Sequence, residues 1–197
     1  MIRIAIFASG SGTNAENIVR YFSDKKTAII QYIFTNNLNA GVIARAKMLN
    51  IPCDVFSKAD FNGDNKILRK LEEEGIDFIV LAGFLLLIPE TIIEKFRGRI
   101  INIHPALLPL HGGSGFYGKN VHESVISSGA LMSGITIHHV NEKFDDGAII
   151  FQAACHIDKN ETAESLAKKI HELEYSYYPV VVEKLIRNIS PFKPDVI

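Results

Sequence analysis

No stretch of the sequence approaches the roughly 18 consecutive apolar residues of a membrane span. The opening segment MIRIAIFASG holds too short an apolar run for a secretory leader and reads as a first strand. A soluble, cytoplasmic protein without membrane contacts is therefore expected. Cysteine is scarce. The two present, Cys53 and Cys155, exclude a disulfide framework and match no metal-ligand spacing. Both sit in apolar surroundings and are expected as buried reduced thiols. Charge of one sign is also missing: 21 Lys and Arg face 22 Asp and Glu, a formal net charge of −1, which argues against a nucleic-acid partner. Repeats and low-complexity linkers are absent too. What remains is a chain of 197 residues, 47% hydrophobic and 22% charged. That is the balance of a globular protein able to bury its own core.

Short runs rich in Ile, Val and Phe predict strands at Ile2–Ala8, Ala28–Thr35, Phe78–Leu81 and Ile100–Ile103. Amphipathic segments between them predict helices at Asn14–Phe22, Gly41–Leu49, Asn65–Glu74 and Pro89–Phe96. Strand–helix alternation with short connections points to a mostly parallel sheet covered by helices on both faces. Residues His104–Asn120, rich in glycine and broken by proline, predict a long loop of the kind that carries function. A short helix (Val121–Ser127) follows. Strands at Ile135–Val140 and Ala148–Ala154 flank the turn Asn141–Gly147, a hairpin that makes the sheet mixed. A helix from Ala163 to Asn188, interrupted at Pro179, closes the chain. The expectation is one domain (1–197) of two halves with a seam near residue 100.

Three segments carry chemistry. Ser9-Gly10-Ser11-Gly12-Thr13-Asn14-Ala15 is a glycine turn between a strand and a helix, where backbone N–H groups can hold a phosphate. A plain tight turn is the other reading. The dinucleotide fingerprint fits loosely, but Phe34-Thr35-Asn36-Asn37 lacks its ribose-binding acid. Asn102 and His104 alternate with apolar residues, so both face one side at a strand's carboxyl end before Pro105 stops the sheet. An amide beside an imidazole supplies an oxyanion donor and a proton carrier. The spacing alone fits equally well a turn-capping Asn and a satisfied His. Asp145-Asp146-Gly147 could orient His104, although an ordinary polar turn explains those residues by themselves. His171 and Glu174 share a face of the last helix, which alone reads as a solvated face. Gly113–Asn120 imitates a nucleotide-triphosphate loop, but Asn120 replaces the magnesium-binding hydroxyl and no strand feeds it. His138 and His139 are strand neighbours facing opposite sides and cannot share a metal.

Taken together, SGSGTN at Ser9–Asn14, LAGF at Leu81–Phe84, NIHPALLP at Asn102–Pro109 and DDG at Asp145–Gly147 resemble the folate-dependent formyltransferase family. The likeness is strongest to the branch that formylates phosphoribosylglycinamide, and it runs nearly end to end. It implies a Rossmann-like, mixed sheet of about seven strands. It also implies 10-formyltetrahydrofolate as co-substrate, no metal, and a role in purine biosynthesis, with a homodimer left open. By the same resemblance Asn102, His104 and Asp145 are the catalytic trio. Gly12, Thr13, Asn14, Pro105, His171 and Glu174 would bind the glycinamide substrate. Leu85, Leu86, Leu87, Ile88, Asn102, Asn141, Glu142, Lys143 and Phe144 would wall the folate site. The halves would divide as phosphate-binding (1–100) and folate-binding with catalysis (101–197).

Departures from the family pattern are Leu86 and Leu110, where basic residues are common, and the glycine-rich loop His111–Lys119. The mechanism implied is attack of the glycinamide amine on the formyl carbon. Asn102 and a protonated His104 would stabilise the oxyanion, and Asp145 would support His104 and relay the amine proton. A deformylase with the same trio, releasing formate to water, is the alternative enzyme. A nucleotide-binding module without turnover is the alternative without catalysis.

Overall fold

Period-two apolar patterning in the first hundred residues builds the parallel part of a seven-stranded sheet. Strands β1 (Ile2–Phe7), β2 (Ala28–Thr35), β3 (Cys53–Val55), β4 (Phe78–Leu81) and β5 (Ile100–His104) all run parallel. Strands β6 (Met132–His139) and β7 (Ile149–His156) join antiparallel, in the order β3-β2-β1-β4-β5-β6-β7. This computed structural model describes residues 1–63, 65–189 and 191. The expected α/β class with a mixed, mostly parallel sheet holds.

Strands β1, β2, β4 and β5 divide their side chains between two cores. Ile2, Ile4 and Ile6 of β1 enter one core with Ala15, Ile18, Val19 and Phe22 of α1 (Thr13–Lys25) and Val42 and Ala46 of α2 (Gly41–Met48). That core also takes Val121 and Val125 of α6 (Lys119–Ser127) and the inner face of α7 (Ala163–Ile186). On the opposite face Ala5 and Phe7 meet Phe61 of α3 (Lys58–Asn62), Ile67 and Leu71 of α4 (Lys66–Glu73) and Ile92 and Ile93 of α5 (Glu90–Lys95). Here Phe7 stacks on Phe34 and meets Phe84 edge-on, with ring centroids 4.9 and 5.3 Å apart. Such rings are among the most strongly stabilising side chains a core can bury.

Two short elements escaped the sequence reading. Strand β3 has only three residues, too few to show a period. Helix α3 was signalled by a capping box in which Ser57 and Asp60 satisfy each other's backbone N–H groups. Pro179 does not interrupt the last helix as expected: α7 runs unbroken from Ala163 to Ile186. A proline deprives the carbonyl four residues earlier of its donor, and the orphaned Tyr175 carbonyl instead accepts from Asn17 Nδ2 at 2.9 Å. The thiols of Cys53 and Cys155 are free but only half-buried, not enclosed. Burial nevertheless pushes both thiols up, Cys53 to about 11.

Helix α7 is locked to the sheet by Tyr178. Fully buried, it donates its hydroxyl to the Leu81 carbonyl at 2.8 Å, at the end of β4. Among the described residues no helix is long and apolar enough to cross a membrane.

Candidate active site

The order of strands reverses direction between β1 and β4, whose carboxyl ends open the crevice where ligands of open α/β sheets bind. A cleft of about 570 Å³ lies there, lined by the glycine turn, the segment after β4, the end of β5, the glycine-rich loop and α7.

Strand β5 places the first two groups. Ile100 belongs to the aromatic-rich core, and Asn102 and His104 follow on the same face, beyond the reach of that apolar cover. Asp145 comes from the hairpin turn, where two features aim it inward. Its backbone adopts a left-handed conformation (φ 53°). Asn141 meanwhile bonds Lys143 N–H and Asp146, holding the second carboxylate outside. Gly147 closes the turn against strand β6: a Cβ there would sit 1.7 Å from the His139 carbonyl oxygen.

The result is a compact polar cluster. His104, 3% exposed, faces Asp145 Oδ2 with Nδ1 at 3.3 Å, while its Nε2 lies 2.8 Å from the His111 carbonyl. Both ring nitrogens thus face oxygen acceptors, which a doubly protonated ring satisfies. Asp145 Oδ2 also accepts from Gly113 N–H at 3.0 Å, and Asn102 Nδ2 reaches Oδ1 at 3.4 Å. Burial pushes Asp145 toward the neutral acid. A hydrogen bond from His104, the His104 charge and the Gly113 N–H together outweigh it and hold the carboxyl well below the usual range.

His138 was missed as a site residue, having been weighed only as a metal ligand. It lies directly opposite Asn102 in the antiparallel β5–β6 pair. Its Nδ1 bonds the His139 carbonyl at 2.8 Å, leaving Nε2 to accept from Asn102 Nδ2 at 3.1 Å and to flank Asp145 Oδ1 at 3.6 Å. No sequence signal could have found it, because strand register decides the encounter. His122 on α6 was missed as well. It lines the cleft, buried, with Nδ1 lacking a hydrogen-bond partner. Burial, with the nearby His171 and His104 charges, pushes it below the ordinary histidine value.

At the other end of the cleft stands the glycine turn. Gly12 has φ 78°, and a Cβ on it would collide with Val42 at 2.5 Å, so glycine is required twice over. Asn14 Nδ2 donates to Glu174 Oε2 at 2.9 Å across 160 residues of chain, and His171 Nδ1 binds the same oxygen at 2.8 Å. That hydrogen bond raises His171, which is 51% exposed. Glu174 is buried, so the solvated-face reading of this pair does not hold for it.

Of the expected site residues, Gly12, Thr13, Asn14, Leu85–Ile88, Asn102, His104, Pro105, Asn141, Lys143, Phe144, Asp145, His171 and Glu174 all line this cleft. Glu142 does not. It lines an adjoining groove with Lys58, Asn62 and Glu90, across the wall of Leu85–Ile88. Among the described residues no cluster of His, Cys, Asp and Glu has a metal-holding arrangement.

Residues 2–182 match the family described as formyl transferase. The chain is 41% identical to the chloroplastic phosphoribosylglycinamide formyltransferase of Arabidopsis thaliana, over 98% of this chain and 68% of that protein. It is 35% identical to the phosphoribosylglycinamide formyltransferase of Bacillus subtilis, over 94% and 95% of the two chains. The crystal structure of phosphoribosylglycinamide formyltransferase from Bacillus halodurans superposes with a TM-score of 0.84 at 35% identity, over 94% of this chain and 96% of that one.

Proposed function

Since the chain belongs to the formyl transferase family, we propose that it moves the formyl group of 10-formyltetrahydrofolate onto the amine of phosphoribosylglycinamide, a cytoplasmic step of purine (IMP) biosynthesis. The single observation that carries this reading is the presence, in one cleft, of the Asn102–His104–Asp145 cluster and the glycine turn braced by Glu174. A hydrolase would need the first alone. The transferase also needs the second, to hold a phosphorylated acceptor.

The acceptor's phosphate sits on the backbone N–H groups of Gly12, Thr13 and Asn14 at the start of α1, helped by the helix dipole and by His171. Glu174 accepts hydrogen bonds from the ribose hydroxyls, and Pro105 lines the path to the amine. The folate head lies against Leu85–Ile88, Asn141, Lys143 and Phe144, with Glu142 outside. In this division, residues 1–100 supply the phosphate turn, and 101–197 supply the catalytic cluster and much of the folate wall.

The amine attacks the formyl carbon, and the carbonyl oxygen gathers negative charge. Asn102 Nδ2 donates to it, and His104 Nε2–H exchanges the His111 carbonyl for it. Both donors are set before the reaction begins. Asp145 balances the His104 charge and, through a water, takes the proton released by the amine. Breakage of the bond from the formyl carbon to the folate nitrogen leaves an electron pair that this proton fills. Holding two reactants in line supplies much of the remaining acceleration.

The test is the absorbance of folate products with and without phosphoribosylglycinamide. Release of deformylated folate only in its presence supports the transferase. Equal release without it identifies a hydrolase, and no release from folded protein would refute both.

A further inference from the structure

The glycine turn lines the cleft, and the carbonyls of Gly10, Ser11 and Gly12 are each bonded by a donor whose residue does not line it. Gly10 O accepts from Val42 N–H at 3.2 Å, and Gly12 O from Glu16 N–H at 2.9 Å. Ser11 O accepts from Arg45 Nε at 2.9 Å. The first two donors are backbone groups that the fold provides anyway. The third is a side chain from α2, Arg45, and it makes a second attachment: its Nη1 binds Glu16, in the first turn of α1. Glu16 is held in turn by Arg20, one helical turn on. Helix α2 also approaches from behind with Gly41, where a Cβ would meet the Ser11 backbone at 3.1 Å, and with Val42 against Gly12.

We propose that Arg45 is a positioning residue for the phosphate end of the cleft: by holding the Ser11 carbonyl and Glu16 together, it keeps the peptide dipoles of the turn pointing N–H first at the substrate. This rests on the phosphate reading of the turn given above. A carbonyl released from Arg45 is free to rotate toward the bound anion, exchanging an attractive dipole for a repulsive one. The guanidinium suits this task because its planar fork offers separate nitrogens at a fixed angle, one for the carbonyl and one for the carboxylate, whereas an ammonium presents its donors from one freely rotating point. Arg45 does not line the cleft, so it acts through Ser11 and not on the substrate.

The experiment compares wild type, Arg45→Met, and Arg45→Met combined with Glu16→Gln. The readouts are KM for phosphoribosylglycinamide, the inhibition constant of inorganic phosphate, KM for the formyl folate, and thermal melting. Arg45→Met is expected to raise the first two roughly tenfold, the scale of one lost hydrogen bond to a charged group. The effect falls on KM rather than kcat and leaves the folate KM in place. In the double variant the elevation persists, because the Ser11 carbonyl is still unheld. A return to wild-type values there would overturn the proposal, since an unneutralised Glu16 would then explain the single variant. Unchanged phosphate inhibition in a folded Arg45→Met protein would overturn it as well. Should that protein not fold, Arg45→Lys is expected to raise KM severalfold, and an unchanged KM would count against the proposal equally. Absence of competitive phosphate inhibition in wild type would instead remove the phosphate reading, and the role of Arg45 with it.

Discussion

Replacement of Asp145 by Asn removes one charge at nearly constant shape, and the surroundings say how that is received. The carboxylate meets His104 Nδ1 at 3.3 Å, Gly113 N–H at 3.0 Å and Asn102 Nδ2 at 3.4 Å. An amide can keep its oxygen toward His104 and Gly113 and turn its NH₂ toward His138. The latter's Nε2 is the acceptor nitrogen, because Nδ1 already bonds the His139 carbonyl, and its one lone pair then passes from Asn102 Nδ2, which turns to the open cleft. The fold should therefore tolerate the change, with melting shifted by about 2–4 °C at most, the equivalent of about 1 kcal/mol at this size. Catalysis should not tolerate it. The charge that balances His104 and the site that accepts the amine's proton are lost together, and positioned proton transfer contributes on the order of a hundredfold to ten-thousandfold. The expected fall in kcat corresponds to about 3–5 kcal/mol of barrier. Single-turnover kinetics with saturating substrates measure it directly. A kcat within threefold of wild type, in a protein with normal melting, would refute the assigned role.

Other expectations follow from the same geometry. Asn102→Ala removes one oxyanion donor and should lower kcat on the order of a hundredfold or more, measured at saturating folate and acceptor. Gly12→Ala should raise KM for phosphoribosylglycinamide and lower the melting temperature, since its Cβ would meet Val42 at 2.5 Å; an unchanged KM would remove the turn from the phosphate site. His171 is raised by its bond to Glu174. Its help to phosphate binding is therefore complete at low pH and is lost as pH rises through a value above the ordinary 6.5 or so. KM should climb across that window in wild type and stay flat in His171→Gln. Asp145 is depressed, so the stability it contributes is present above about pH 4 and disappears only as pH falls through its folded value. Acid melting of Asp145→Asn should accordingly lack part of the wild-type loss below about pH 4. Tyr178→Phe leaves the Leu81 carbonyl without its 2.8 Å partner; a cost of about 1–3 kcal/mol is expected in denaturant melts.

Much of this molecule could be read from local patterns because local patterns have local causes. The alternation Asn102-Ile103-His104 is a property of any strand, so it placed both side chains on one face whatever the strand's neighbours. The glycine turn announced itself because positive φ at Gly12 has few other solutions. Spacing of Ala15, Ile18, Val19 and Phe22 marked the buried side of α1 in the same way. Failures came where a distant partner changed a local rule. Pro179 would end an isolated helix, and Asn17, 158 residues from Tyr175 in sequence, supplies the missing hydrogen bond to the Tyr175 carbonyl.

The sequence by itself determined the kinds of element, the face of β5 that carries the amide and imidazole, and the turn able to meet an anion. Tertiary structure alone decided which groups meet. The β5–β6 register set His138 opposite Asn102, and the hairpin turn carried Asp145 to His104. Packing of α7 against α1 joined Glu174 to Asn14, and α2 brought Arg45 behind Ser11. Dihedral preferences and hydrophobic period act over a few residues, so a sequence displays them openly. Register and helix docking depend on how whole faces fit together, and no window of a few residues contains that information.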